Sequence, residues 1–156
     1  MNRNDFIVAP EEVFSMYVVK PQTDVPETEL VKGSLSHLVN TEKLTLSFLK
    51  MEKFSEFEVH THPQTQIMIV VSGSCDEIID GKLFHITSGD VIYLPSGIPH
   101  GAFLNEEDCY AIDIFVGGRP DYLEKFYKQN PGCSLPFDGV SFWYKMGGIC
   151  ESEVKR

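Results

Sequence analysis

Basic residues are scarce in this chain: 13 Lys and Arg stand against 23 Asp and Glu, a formal net charge of −10. With no long basic run to offset that excess, nucleic acid and anionic membrane surfaces are poor partners, and an anionic small molecule would need a local positive site. Long apolar runs are missing too. The opening "MNRNDFIVAPEEVF" has no uninterrupted stretch of secretory-signal length, and nothing later approaches a membrane span, so a soluble, cytoplasmic protein is expected. Cysteine is sparse. Cys75, Cys109, Cys133 and Cys150 are widely spaced with no CxxC, which argues against a zinc knuckle or a disulfide framework and for reduced thiols that mostly fill the core. No internal repeat or low-complexity segment is present.

What the chain does have is enough apolar material for one core: 42% hydrophobic and 12% aromatic in 156 residues, read as a single domain over 1–156. Residues 44–116 form its centre. "LTLSFLKM" alternates Leu44, Leu46 and Phe48 against Thr45 and Ser47, the period of two of a half-buried strand, and "EFEVHTH" continues it. "QIMIVVSG", a hairpin "DEIIDGKLFHI" turning at Asp80-Gly81, "SGDVIYLPSGIPHGAFL" and "CYAIDIFVGG" complete a run of short strands with no helical pattern between them. The series predicts an all-β barrel or sandwich. In the 1–43 extension, "EVFSMYVV" and "GSLSHLVN" read as extra strands around the loop "KPQTDVPETELVKG". In the 117–156 segment "DYLEKFYKQ" reads as a short helix, "NPGCSLPFDG" as a loop and "VSFWYKM" as a last strand.

Two stretches carry chemistry. In "EVHTHPQTQ", His60 and His62 share a face if the segment is extended, about 6 to 7 Å apart along the strand, so both rings can converge on one ion. In "SGDVIYLPSGIPHGAFLN", the bend at Pro95–Pro99 delivers His100 to the start of a strand that can return beside the first pair. Three imidazoles and the Gln66 carbonyl oxygen would define a partly open site for one first-row divalent ion: nickel, zinc, manganese, iron or cobalt. His37 and His85 have no partnered spacing and are set aside.

Together the stretches resemble the two motifs of the cupin superfamily. The first is met by His60, His62, Gln66 and Gly73, and the second by Gly89, Asp90, Pro95, Gly97 and His100. The resemblance spans roughly residues 44–116 and implies a double-stranded β-helix, a jelly-roll barrel, often dimeric through its sheets. The chain departs from it in three places: Gln66 stands where many cupins carry Glu, Phe54 where a glycine is expected, and Asn105 one position late. A neutral amide in place of a carboxylate leaves a bound ion's charge less compensated, hence a better centre for anionic oxygen.

In "CYAIDIFVGGRPDY", alternation puts Cys109, Ala111, Asp113 and Phe115 on one face. An Asp inside an apolar strand is costly without a partner or a task. Arg119, past Gly117-Gly118, can be that partner in a salt bridge, or clamp a substrate carboxylate while Asp113 works as a general acid or base and Phe115 forms an apolar wall. The string HxHPxxQ, then GD…P…PHG, then DxFxxxR resembles the small cupins of pectin and alginate breakdown that linearise 4,5-unsaturated monouronates to open-chain keto-uronates. That likeness implies metal ligands at His60, His62, Gln66 and His100, and substrate-handling residues at Asp113, Phe115 and Arg119. In that reading the reaction is non-redox, with Asp113 moving a proton as the enol ether is hydrated and the ring opens. A metal-dependent dioxygenase and a non-catalytic sugar-binding cupin are the competing classes.

Overall fold

The computed structural model describes residues 1–137; the expected strand "VSFWYKM" lies outside the described residues. Helices α1 (Glu11–Tyr17) and α2 (Pro21–Asp24) precede ten strands: β1 (Thr28–Val31), β2 (Ser34–Asn40), β3 (Leu44–Met51), β4 (Glu56–His60), β5 (Thr65–Ser72), β6 (Ser74–Ile79), β7 (Lys82–Thr87), β8 (Val91–Leu94), β9 (His100–Phe103) and β10 (Cys109–Val116). Helix α3 (Pro120–Gln129) follows. One sheet has the order β1-β2-β3-β10-β5-β8 and the other β4-β9-β6-β7, with every pairing antiparallel. This is a jelly-roll sandwich, as the strand pattern predicts.

Leu38, Leu49, Met51, Met68, Val70, Leu94 and Ala111 fill the space between the sheets, with the free thiols Cys75 and Cys109 among them. Cys133 does not fit the expectation of a reduced thiol: it is disulfide-bonded. The alternation in β3 is real, but its apolar set faces outward. Thr45 and Ser47 are fully buried while Leu44, Leu46 and Phe48 are half-buried on the outer face. The inward hydroxyls are satisfied, Thr45 donating to Asn40 at 2.7 Å and Ser47 sharing a hydrogen bond with Ser36 at 2.7 Å, which is why polar residues can point in.

The flanks differ from expectation in two places. "EVFSMYVV" is helical over Glu11–Tyr17: Pro10 precedes it in extended conformation, and Glu11 and Glu12 sit in the first turn, where the helix dipole favours acids. The predicted loop before β2 contains α2 and β1. Strand β1 lies at the sheet edge, where α3 covers it. The Gln129 amide accepts from the Glu29 N–H at 2.8 Å and donates to the Glu29 carbonyl at 2.9 Å. Tyr122 and Phe126 turn the buried face of α3 inward. Among the described residues no helix is long and apolar enough to cross a membrane.

Candidate functional site

The two histidine stretches meet at one end of the sandwich. His60 ends β4 and pairs with His100 at the start of β9, next to a register shift in β4 between Phe57 and His60. Gly101 makes that approach possible: a Cβ there would lie 2.6 Å from the Phe57 carbonyl oxygen. The bend before β9 is tied directly to the turn that carries His62. Gly97, at φ +76°, donates its N–H to the His62 carbonyl at 2.9 Å, and Ser96 donates to the Pro63 carbonyl at 2.5 Å. The ring centroids of His60, His62 and His100 are 4.5 to 5.8 Å apart, and their ligand atoms all lie within 4.8 Å of one another.

The donor set suits a cation. Each Nδ1 contacts a backbone carbonyl, at Glu58 (2.8 Å), Gln64 (3.0 Å) and Ile98 (2.8 Å). A carbonyl only accepts, so each Nδ1 carries the hydrogen and each Nε2 of a neutral ring keeps its lone pair. Burial pushes both His62 and His100 below the usual imidazole range, His100 to about 4, which favours the neutral ring in each. Gln66 Oε1 lies 3.1 Å from His62 Nε2, while its amide nitrogen donates to Asp113 Oδ1 at 2.9 Å. Asp113 thereby fixes which way the amide points. Two lone pairs face each other at 3.1 Å, an arrangement that a shared cation relieves. Three histidines could therefore hold a metal ion. His37 and His85 stand outside this cluster, occupied by the Val25 carbonyl and by Asp76.

Asp113 is 4% exposed, and burial raises it to about 6, against the opposing pull of the Gln66 amide and Arg119. Arg119 is not its salt-bridge partner. The guanidinium forks onto Asp121, at 2.9 Å through Nε and 2.6 Å through Nη2, and stacks over Tyr122 and Phe115 with its central carbon 3.9 and 4.6 Å from their centroids. Its Nη1 is buried without a hydrogen-bond partner. Phe115 is fully buried, edge-on to His62 and Tyr122 at 5.6 and 5.5 Å, so it supports the histidine and the guanidinium from beneath.

Two spaces adjoin the cluster. An outer cleft of about 940 Å³ is lined by His60, Arg119, Asp121, Tyr122 and Lys125, among others. A small inner cavity of about 30 Å³ is lined by His60, Gln66, Glu77, His100, Asp113 and Tyr122, with apolar residues between. His60 and Tyr122 border both. Glu77 was not singled out in the sequence; its signal is the inward alternation Cys75, Glu77, Ile79 in "SCDEII", which sets a carboxyl among core residues. Asn105 donates to Asp76 at 2.9 Å, away from the cluster.

Residues 47–115 match the family model described as Cupin domain. No curated protein matches the chain. Among solved structures, an RmlC-like cupin from Shewanella frigidimarina is similar at 23% identity and TM-score 0.63, covering 68% of this chain and 95% of its own. KdgF from Halomonas sp. is similar at 26% identity and TM-score 0.58, covering 62% and 89%. The polyketide cyclase RemF from Streptomyces resistomycificus is similar at 20% identity and TM-score 0.60, covering 73% and 93%. A polyketide cyclase on this fold shows that the scaffold alone does not select the reaction. Motif, sheet order and likeness agree on the fold: a jelly-roll sandwich of cupin type, with the cupin-domain match confined to residues 47–115.

Proposed function

We propose that this protein is a metal-dependent, non-oxidative enzyme that linearises 4,5-unsaturated monouronates to open-chain keto-uronates. One observation carries the reading: in an acidic chain, Arg119 lines the outer cleft and stacks on Phe115, which packs against His62, and its buried Nη1 has no hydrogen-bond partner. A uronate carboxylate is a ligand that supplies the missing acceptor. The motif resemblance over His60, His62, Gln66, His100, Asp113, Phe115 and Arg119 supports the same class.

In this scheme His60, His62, His100 and Gln66 hold one divalent ion, which supplies Lewis acidity toward the substrate's oxygens when bound. Arg119 orients the carboxylate, held flat by Tyr122 and Phe115. Asp113 takes a proton from water as it adds across the enol ether. One alkene carbon gains a proton, and the carbon bearing the ring oxygen gains the hydroxyl. The hemiketal so formed opens to a ketone, and the hydrated aldehyde at the other end releases water. Substrate and product are isomers, so no electron acceptor is needed. The outer face of the six-stranded sheet, with Val71, Val91, Tyr93, Tyr110 and Val116 exposed, is where we place a homodimer contact; light scattering that gives a monomer mass would remove it.

The deciding experiment is Asp113→Asn on an unsaturated monouronate. Asn retains an oxygen to accept from Gln66, so metal content should hold while turnover drops about 100-fold or more. Unchanged turnover refutes the assignment. Oxygen uptake by an iron-loaded form that leaves uronates untouched would place the chain among the dioxygenases, and sugar binding without turnover would make it a binding protein.

A further inference from the structure

Asp113 and Glu77 are the two acidic side chains buried among the described residues, and the scheme above uses only the first. Glu77 lies mid-way along β6 and is 4% exposed, on the inward face that Cys75 also occupies. An apolar side chain would pack there at no electrostatic cost, so a carboxyl in that position needs a reason. Its surroundings offer the charged form nothing. No hydrogen bond from a described residue supports it, and the neighbouring carboxylate that acts on it, Asp113, is of like sign. Glu77 opens instead onto the inner cavity, shared with His60, Gln66, His100 and Asp113. At about 30 Å³ that space exceeds the ~10–15 Å³ one water requires, and its polar lining gives such a water partners.

We infer that Glu77 is a neutral carboxylic acid that delivers its proton into the inner cavity, through one water, as the acid partner of Asp113. Burial first, and then the charge of Asp113, pushes Glu77 up to about 8, in keeping with a neutral group at pH 7. The inference rests on the ring-opening reaction proposed above. There the alkene carbon receives a proton while a base takes one from the adding water. Glu77 gives the first and becomes a carboxylate, Asp113 receives the second, and the cavity water returns that proton to Glu77 for the next turnover.

Infrared difference spectroscopy on the metal-free, full-length protein at pH 7 tests the neutral acid. Wild type should show a protonated-carboxyl band that Glu77→Gln lacks; no difference between them overturns the inference, whatever the turnover. With metal restored, Glu77→Gln should lose about 100-fold in kcat on an unsaturated monouronate, with KM and bound metal unchanged. Glu77→Leu, which fills the space without a proton, should fold and be as slow. Wild-type kcat in either variant overturns the donor role. If wild type opens no uronate yet shows the band, the proposed substrate fails while the neutral acid stands.

Discussion

Stability against pH offers a measure of Glu77 that needs no substrate. The perturbation is Glu77→Gln in the metal-free protein, compared with wild type by thermal unfolding between pH 4.5 and 8. In wild type, the Glu77 carboxyl is raised from 4.5 to about 8 on folding. A raised acid binds its proton more tightly in the folded state, so its contribution is fully present below pH 4.5 and is lost as pH climbs through 8. The whole span amounts to about 5 kcal/mol at 1.36 kcal/mol per decade. Two other groups act lower. His100, depressed from 6.5 to about 4, costs stability as pH falls through that interval, and Asp113, raised from 3.8 to about 6, has given up most of its contribution by pH 6. His62, also depressed by burial, acts in the same sense as His100, and these groups titrate in both proteins, so the difference between wild type and variant from pH 6.5 to 7.5 isolates Glu77. Across it wild type should lose about 1 kcal/mol relative to the variant, or roughly 2–4 °C in Tm for a domain of this size. Gln cannot ionise, so the variant should lack that loss. Parallel slopes for the two proteins would show that Glu77 is already charged at neutral pH, and the burial argument would fail.

Other outcomes follow from the geometry. His100→Ala should abolish stoichiometric metal binding in elemental analysis, because two histidines and an amide leave the ion one strong donor short. Gly101→Ala should lower metal affinity even though no ligand is changed, since the added methyl must push β9 away from the Phe57 carbonyl and separate His100 from His60; titration of the metal-free protein reads this directly. Phe54 holds φ +63° with its side chain 73% exposed, so Phe54→Gly should raise stability by about 1 kcal/mol, the left-handed strain less glycine's entropy; a lower Tm would contradict it. Arg119→Lys should raise KM for an anionic sugar at least about tenfold with metal content unchanged, because an ammonium lacks the planar fork that both Asp121 and a carboxylate can share.

Much of this was legible because β-structure writes itself in period two. The strand limits Leu44–Met51 and Cys109–Val116 follow the alternation closely, and the inward set of β10, Cys109, Ala111, Asp113 and Phe115, is as the pattern assigns it. Alternation states which residues share a face but not which face is buried. In β3 the apolar set Leu44, Leu46 and Phe48 points outward because inside Ser36 and Ser47 share a hydrogen bond and Thr45 donates to Asn40. "EVFSMYVV" has strand-like composition yet is helical, since Pro10 and the two glutamates set a local start that no neighbouring strand overrides. The three-histidine cluster was readable from spacing. The pairing of Arg119 with Asp121 was not, because it depends on α3 beginning immediately after the guanidinium residue. Glu77 was not legible because either acid of the Asp76-Glu77 pair in "SCDEII" looks like a solvent-facing charge until the partner strands fix its side.

Gln66, Asp113 and the departure from the common glutamate belong to one constraint. Asp113 accepts from the Gln66 amide nitrogen at 2.9 Å, so a glutamate at 66 would set carboxylate against carboxylate at that separation in a buried place. On the proposed assignment the two positions are coupled: an ionised acid at 113 favours a donor at 66, and a glutamate there would have to bring a proton of its own. In that scheme the chain gives up a negative ligand for the ion and keeps a proton carrier beside it.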